Sequence, residues 1–475
     1  MKNRTNHFPF LFIISCLIAL FPAKPVGASS YYRTFSDIET HSDLEAAVYW
    51  ANLTDVMKGT SASKFSPKTY ISGKTVVKAL GKLDPSYDGA AGSAYTVKGT
   101  DKGLKRNRKK VTREQFAVAL YNYAKSHGAK VSAKKKLSSY KDYEKLNEEA
   151  RKAYSWALKK GLVPKASGGR INPQKKMTRA QAVTGLYKLH KLLPDYRKDL
   201  GAASFNEIVL REIAEVKPYG GYYTGSYAGG AFSKTAWQGM NEAYKMKGAR
   251  PVINLAKARP SFCSSACYMV LVRSLLTWDT YENSGTRIGA KSWHALKPYT
   301  VRGLSYPVQD DGVGAWGRAN ANGPGMAVLI RELKAGENVL IKNRKEYKSD
   351  SAYWSAWGQA EPGDFLKLFR SGAIGASERG HMVVYLGRKK ASSGGKRDDI
   401  VYYWSSNGSR ADSSKGYSIA SCRASEIYRG VITKVTKPQA FTQASKISPT
   451  KRDEWLRSLL DVNVSLADMK KHISG

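Results

Sequence analysis

The chain has 475 residues, which corresponds to two to four domains at roughly 100–200 residues per domain. Hydrophobic residues make up 42% and charged residues 24%, so the composition is that of a globular protein and excludes wholesale disorder. The 78 Lys and Arg residues exceed the 38 Asp and Glu residues by 40. This positive charge favours a polyanionic partner: nucleic acid, anionic lipid or a phosphate- or carboxylate-bearing wall polymer.

Residues 1–28 have the pattern of a secretory signal peptide. A basic head precedes an apolar run from Phe8 to Phe21, which is shorter than the ~20 residues of a membrane span. Small residues then mark a cleavage site, and we expect cleavage after Ala28. An uncleaved anchor and lipidation at Cys16 are the two alternatives. Export disfavours nucleic acid and cleavage leaves no membrane segment, so a wall polymer is the expected polyanion.

Three cysteines remain after removal of the signal peptide: Cys263, Cys267 and Cys422. An odd number of cysteines leaves at least one free thiol in an exported chain. The sequence has no Cys-x-x-Cys pair and no Cys/His spacing typical of a zinc site. We therefore expect neither a metal nor another cofactor.

Residues 29–200 contain a repeated pattern: an aromatic-x-Asp turn, a helix with a Trp-Ala pair, a Gly, and an apolar-x-Pro segment. The clearest copy spans residues 137–193 and a weaker copy spans residues 35–83, while a fragment from residue 111 repeats only the closing half. The pattern resembles the S-layer homology module. This resemblance implies an all-α wall-anchoring region over residues 29–200.

In that family three modules form a helical prism whose grooves hold an anionic secondary wall polysaccharide, and a Thr-Arg motif supplies an arginine. The resemblance therefore implies that Arg113 and Arg179 bind the polysaccharide, with Asp142 and Trp156 as supporting groove residues. Each Arg follows a Thr that is a typical N-cap, so it lies near a positive helix end. A guanidinium also pairs bidentately with carboxylate. The residues alone leave open a second interpretation, in which these are helix caps with solvated Arg side chains.

The rest of the chain divides into three segments. Residues 201–249 are rich in Tyr and Gly and indicate a connecting segment. Residues 250–440 carry strand-like runs around one apolar helix, and residues 441–475 indicate a C-terminal helical tail. The expected fold class is multidomain, with an all-α region followed by an α+β domain.

Cys263 lies at the start of the apolar helix of the α+β domain. Pro260 and Ser261 are helix-start signals, with Ser261 as the expected N-cap. A thiol at this position feels the positive end of the helix, which lowers its pKa and favours the nucleophilic thiolate. Cys267, one turn further on, is expected to be a buried core thiol. The alternative for Cys263 is that it too is a small buried core residue.

Two strands supply the expected partners of this thiol. His381 follows a Gly at the start of an apolar strand, where a rigidly held imidazole can act as a general base. Asn407 ends the next strand and can orient the imidazole through its amide oxygen. Ser405 is the alternative third residue, and His294 is a weaker alternative base.

The order helix-Cys, strand-Gly-His and strand-Asn resembles the papain-like wall hydrolases of the NlpC-like and CHAP-like families, over residues 250–435. The run Cys263-Ser-Ser is similar to their Cys-Ser-Gly motif, although Phe262 stands where those families have Asp. The resemblance implies a papain-like fold and a mechanism in which Cys263, His381 and Asn407 cleave amide bonds of peptidoglycan.

Residues 314–325 predict a substrate-lining loop that includes Trp316 and Asn322, with a turn packed beside the nucleophile helix as the equal alternative. Three further Trp residues are candidates for the cleft wall: Trp354, Trp357 and Trp404. The predicted function is a secreted peptidoglycan hydrolase anchored to anionic wall polysaccharide. The alternative is a non-catalytic surface-layer or wall-binding protein with a degenerate papain-like domain. The sequence does not determine the oligomeric state.

Overall fold

The computed structural model describes most of the chain after the predicted signal peptide. The described residues are 35–83, 109–132, 135–193, 204–225, 227–282, 285, 287–298, 314–375, 377–448, 459 and 464–474. The predicted signal peptide and the lipidation alternative at Cys16 lie outside these residues. Within the described ranges, no helix combines the length and the hydropathy that crossing a membrane requires.

The first region, residues 35–193, is called the module region below. Its described part contains five α-helices: α1 (Asp43–Leu53), α2 (Gly73–Leu83), α3 (Arg113–Ser126), α4 (Glu148–Lys159) and α5 (Arg179–His190). Thr112 and Thr178 cap α3 and α5, each in a reciprocal capping box with a Gln three residues later. The N-cap part of the sequence prediction is therefore confirmed.

The helices α2, α3 and α5 start around a closed ring of backbone hydrogen bonds. The N–H of Ile71 donates to the carbonyl of Met177 (3.0 Å), that of Met177 to Val111 (2.8 Å), and that of Val111 to Ile71 (3.1 Å). Equivalent residues of three segments thus occupy equivalent positions around one axis. The described part of the module region is accordingly an all-α unit with approximate threefold symmetry at its centre.

The second region, residues 204–474, is called the sheet domain. Its described helices are α6 (Phe205–Ala214), α7 (Ala236–Ala243), α8 (Cys263–Glu282), α9 (Ala290–Leu296), α10 (Gly314–Ala319), α11 (Ala327–Leu333), α12 (Asp350–Gly358) and α13 (Leu466–Ile473). Its described strands are β1 (Tyr219–Tyr223), β2 (Tyr244–Lys247), β3 (Arg250–Ile253), β4 (Gly336–Ile341), β5 (Phe365–Phe369), β6 (His381–Lys389), β7 (Ser392–Ser393), β8 (Lys396–Arg397), β9 (Ile400–Asn407), β10 (Ala411–Arg423) and β11 (Arg429–Val435).

Seven of these strands form one antiparallel sheet in the order β1-β10-β9-β6-β5-β11-β4. Helix α8 packs on one face against β6 and β9, and it is apolar on nearly all sides because it is buried in the core. Helix α12 covers the other face, where Trp357 and Tyr353 pack with Leu366 and Leu368 of β5. The predicted mixture of helices and strands is therefore observed, with a large antiparallel sheet at its centre.

The segment 201–249, which the sequence indicated as a connection, is part of the sheet domain. Strand β1 is the edge strand paired with β10. The amide of Asn206, on α6, donates to Asp364 Oδ1 at 2.8 Å and so ties α6 to the turn before β5. The Tyr/Gly-rich composition thus reflects an edge strand next to a tight turn, and the described part of this segment is no linker.

The module region packs directly on the edge of the sheet. The hydroxyl of Tyr219, on β1, donates to Glu45 of α1 at 2.7 Å, and the ring of His41 stacks on the Tyr219 ring. At the end of α5, His190 contacts Glu215 at 2.5 Å. The predicted C-terminal tail also docks on the domain, because Met469 of α13 packs in a core cluster beside β5 and β11.

Candidate active site

Cys263 is the first residue of α8, as the sequence predicted, but the helix is capped by a different serine. The backbone N–H of Phe262 donates to Ser265 Oγ at 2.9 Å, and Ser265 Oγ donates back to the Phe262 carbonyl. Ser261, the expected N-cap, instead donates from its hydroxyl to Ser406 Oγ of β9 at 2.8 Å. This bond fixes the start of α8 against the sheet, so Ser261 positions the helix without capping it.

His381 and Asn407 meet at one edge of the sheet. His381 starts β6 and Asn407 ends β9, and antiparallel neighbours place these two ends side by side. The His381 Nε2 atom lies 2.9 Å from Asn407 Oδ1. The orientation of Asn407 is fixed because its Nδ2 donates to the backbone carbonyl of Ser418 at 2.9 Å. Since an amide oxygen only accepts, Nε2 carries the proton and Nδ1 is left as the basic nitrogen.

The Cys263 sulfur faces this histidine. The His381 side chain and the backbone N–H of Met382 both lie close enough to it to favour its ionised form. Burial alone would raise the pKa of the Cys263 thiol. The hydrogen bond and charge of His381, followed by the charge of Lys367 and the Met382 N–H, outweigh burial and hold this pKa at about 6. The thiol is therefore mainly ionised at neutral pH.

A cleft of about 470 Å³ opens beside the sulfur. Its described lining residues are Tyr222, Thr224, Trp237, Phe262, Cys263, Ser264, Asn320, Asn322, Lys367, Arg379 and Gly380. Asn322 is thus on the cleft wall, as the sequence predicted. Sequence reasoning missed the contributions of β1, of Trp237 on α7, and of Lys367 and Arg379. No local pattern marks them, because they come from four separate segments that only the fold brings together.

The four tryptophans that the sequence placed on the cleft wall lie in the core instead. Trp316 is fully buried, with its ring centroid 5.0 Å from that of Tyr268 and 6.3 Å from that of Phe262. Trp354, Trp357 and Trp404 are also core residues. Their large apolar rings are used to fill the two layers around the sheet. The assignment of Trp316 to substrate binding is therefore wrong, and the packing alternative describes it.

The two alternative residues have other positions. Ser405 is buried and its hydroxyl donates to the Met382 carbonyl at 2.7 Å, so it supports β6 while Asn407 contacts His381. His294 lies on α9 with an exposed side chain and does not line the cleft.

Cys267 is buried, and burial raises the pKa of its thiol well above the usual value. The prediction that Cys267 is a core thiol is confirmed.

The four predicted polysaccharide-binding residues are buried in the module region. Arg113 donates to the Ile171 carbonyl at 3.0 Å, and Arg179 donates from Nε to the Phe65 carbonyl at 2.8 Å. Asp142 accepts the backbone N–H groups of Ile171 and Asn172, and Trp156 is fully enclosed. These side chains join neighbouring segments of the module region. The structure therefore corrects the prediction that they present exposed anion-binding groups.

The geometry of the sheet domain defines a class of site, a half-buried cysteine paired with a histidine that an amide orients. Such an arrangement can perform nucleophilic attack on a carbonyl carbon. Among the described residues no cluster of His, Cys, Asp and Glu could hold a metal ion.

Comparison with known proteins identifies the module region in part. Residues 139–183 match the family model of the S-layer homology domain, which lies inside the chain and not at its N-terminus. An S-layer homology domain indicates association with the cell surface or wall, and it is consistent with the predicted wall-polymer partner. A search of the curated proteins returned no match to the chain.

Proposed function

We propose that this chain is a secreted cysteine hydrolase that cleaves amide bonds of peptidoglycan while its module region holds it on the wall. The proposal depends on one observation: the Cys263 sulfur lines a cleft and faces His381, whose Nε2 lies 2.9 Å from Asn407 Oδ1. A core cysteine would not need a partner of this kind. The proposal takes the sheet domain to be a divergent papain-like domain, in line with the order of Cys263, His381 and Asn407 along the chain.

The first step is attack of the Cys263 thiolate on the carbonyl carbon of the scissile amide. A sulfur–carbon bond forms and the carbonyl π electrons move to oxygen. Collapse of this tetrahedral species breaks the carbon–nitrogen bond, and protonated His381 delivers its Nδ1 proton to the leaving amine. Asn407 keeps the ring in the required orientation, because its amide oxygen holds the Nε2 proton throughout.

The oxyanion formed in this step needs hydrogen-bond donors near the sulfur. The backbone N–H of Cys263 lies at the start of α8, where helix N–H groups are unsatisfied and the dipole is positive. Asn320 lies on the same wall of the cleft, and its Oδ1 accepts the Ser264 hydroxyl at 2.5 Å. This bond identifies Nδ2 as the end of the Asn320 amide that can donate, and we include it in the proposed oxyanion site.

Water then hydrolyses the thioester. His381 Nδ1 takes a proton from the water, hydroxide adds to the acyl carbon, and the sulfur–carbon bond breaks to return the thiolate and a carboxylic acid. The step consumes one water and restores the starting enzyme. It needs neither a metal nor another cofactor.

The module region supports the location of this activity. The S-layer homology match favours a wall polysaccharide as the anchor, and the formal charge of +40 adds a long-range attraction to anionic wall polymers. Since Arg113 and Arg179 are engaged with backbone carbonyls, we do not assign the anchoring to these two side chains.

The test compares the full chain with Cys263→Ala on purified walls. We expect the substitution to abolish the release of free amino groups and to leave adsorption unchanged, because the thiol and the module region are separate. Cys422→Ala is the matched control, since Cys422 is buried on β10 away from the cleft. The two readouts are amine release and the amount of protein sedimenting with the walls.

Two outcomes would overturn the parts of the proposal separately. If the unmodified chain binds walls and releases no amine, it is the wall-binding alternative and the site is not catalytic. If Cys263→Ala releases amine at the original rate, the nucleophile is another residue.

A further inference from the structure

Lys367 lies on the wall of the cleft, where burial lowers the pKa of its ammonium group and the charge of the Cys263 thiolate raises it. Its charge in turn lowers the pKa of Cys263, but no step of the proposed mechanism and no part of the wall anchor uses it as a ligand. It lies at the centre of β5, which is flanked by β6 and β11, and it is 4% exposed. Its neighbours Leu366 and Leu368 point to the α12 side, so alternation along the strand turns Lys367 toward α8 and the cleft.

Two glycines make room for the lysine stem. A Cβ atom at Gly380 would lie 2.7 Å from Lys367 Cε, and one at Gly325 would lie 3.0 Å from Lys367 Cδ. Both glycines have positive φ angles, +72° and +60°, which other residues rarely adopt. The two glycines thus leave space for the Lys367 stem to pack between them, with its ammonium group at the cleft wall.

No carboxylate pairs with this ammonium group among the residues that the structure describes. Lys367 takes part in no ion pair or hydrogen bond there, although the charges of Cys263, Cys267, Glu378 and Arg379 act on it at longer range. A buried arginine of the same domain does have a partner, since Arg318 pairs with Glu332 at 3.0 Å. A buried cation normally has a partner, because desolvation of an unpaired charge is costly.

The surroundings of Lys367 favour an anionic ligand over a neutral one. The described residues that line the cleft include two cations, Lys367 and Arg379, and no Asp or Glu. The amides of Asn320 and Asn322 lie on the same wall and suit a peptide group. The thiolate of Cys263 carries one negative charge near Lys367, yet it is already held by His381 and the Met382 N–H.

We propose that Lys367 binds a carboxylate of the substrate, so that the cleft selects peptides with a free carboxylate close to the scissile amide. This inference rests on the proposed function, because it takes the molecule bound in the cleft to be the substrate. It concerns binding, however, and can be tested without turnover. The rival role for Lys367 is to stabilise the Cys263 thiolate alone.

The test uses the full chain carrying Cys263→Ala, so that ligand is bound and not consumed. The probes are two forms of an alanine–γ-glutamate–lysine tripeptide, one with free carboxylates and one with every carboxylate converted to a carboxamide. Calorimetry should show the carboxylate form binding about tenfold or more tightly, the size expected of a hydrogen bond to a charged group. Adding Lys367→Met should remove this preference.

The control variant is Lys389→Met, on the exposed end of β6, which removes the same charge far from the cleft and should retain the preference. Equal binding of both tripeptides to the Cys263→Ala chain would overturn the proposal, and this arm does not depend on the folding of any Lys367 variant. A preference that persists in Lys367→Met would overturn it as well and would leave Lys367 with the thiolate. A Lys367-dependent preference in a chain that releases no amine from walls would support the anion site and refute only the hydrolase function.

Discussion

The module region and the sheet domain both bury charged side chains, and they use them in opposite ways. In the module region Arg113 and Arg179 donate to backbone carbonyls of neighbouring segments, so these hydrogen bonds hold the region together. In the sheet domain Lys367 is as deeply buried, but within the described residues it has no such partner and lines a cleft. The difference teaches that burial of a charge does not identify a binding site, whereas the list of its partners does.

The same contrast applies to motif and geometry. The Thr-Arg motif resembles a known anion-binding motif, yet in this chain its Arg side chains are buried in the module region. The Cys-Ser-Ser run is a poorer motif match, yet Cys263 has the partners that a nucleophile needs. Three substitutions sharpen this comparison, and they are given from the largest expected effect to the smallest.

The largest effect is expected for His381→Ala. Loss of the general acid and base should slow amine release by about 10²–10⁴-fold. Because His381 is the main group that opposes the effect of burial, the pKa of Cys263 should also rise from about 6 toward about 8.5 or above. Thiolate would then form only at higher pH. Iodoacetamide alkylation followed from pH 5 to 10 on Cys267→Ala, Cys422→Ala protein measures this shift directly.

The control for His381 is His294→Ala, which removes an exposed imidazole from α9. It should leave both the amine release and the alkylation profile of Cys263 unchanged. An alkylation midpoint that stays near pH 6 in His381→Ala would show that His381 does not activate the thiol.

A smaller effect is expected for Asn407→Ala. The side chain does not touch the reacting atoms and acts by orienting His381, and a misplaced group of this kind can cost up to about 10²-fold in rate. The pH dependence of amine release should also change, because His381 Nε2 loses its hydrogen-bond acceptor. Ser405→Ala is the matched comparison two residues away on β9, where the lost hydrogen bond to Met382 should cost about 1 kcal/mol of stability and little activity. A larger loss of activity in Ser405→Ala than in Asn407→Ala would exchange the two roles.

The smallest effect on activity is expected for Arg179→Ala, which tests the module side of the comparison. Losing donors to Phe65 and Lys58 should lower the free energy of unfolding of the module region by about 1.5–3 kcal/mol. Hydrolysis of a soluble peptide should not change. Calorimetric melting measures the first effect, with Arg170→Ala, an exposed arginine of the same region, as control. Unchanged melting together with weaker wall adsorption would restore Arg179 as a polysaccharide ligand.

Much of the organisation was predictable from the sequence. The repeat pattern gave the helices of the module region, since Asp37 and Asp142 hold equivalent backbone N–H groups in the two fuller copies. The resemblance to papain-like wall hydrolases predicted that Cys263, His381 and Asn407 would meet. In the structure they do, because the start of β6 and the end of its antiparallel neighbour β9 lie side by side near the start of α8. The connecting segment was misjudged, because β1 is a short, Gly-rich edge strand whose pairing with β10 joins residues almost 200 positions apart.

The sequence by itself determined the local chemistry: which residue starts a helix, which strand carries an imidazole, and how strongly the chain attracts anions. These properties depend on residues within a few positions of one another or on the sum of all charges. Only the tertiary structure decided which charges have partners. The tertiary structure gives Arg113 and Arg179 carbonyl partners and gives Lys367 none among the described residues. It also places Trp316 in the core and Trp237 at the cleft. The cost of burying a group depends on every atom around it, and those atoms come from distant parts of the chain.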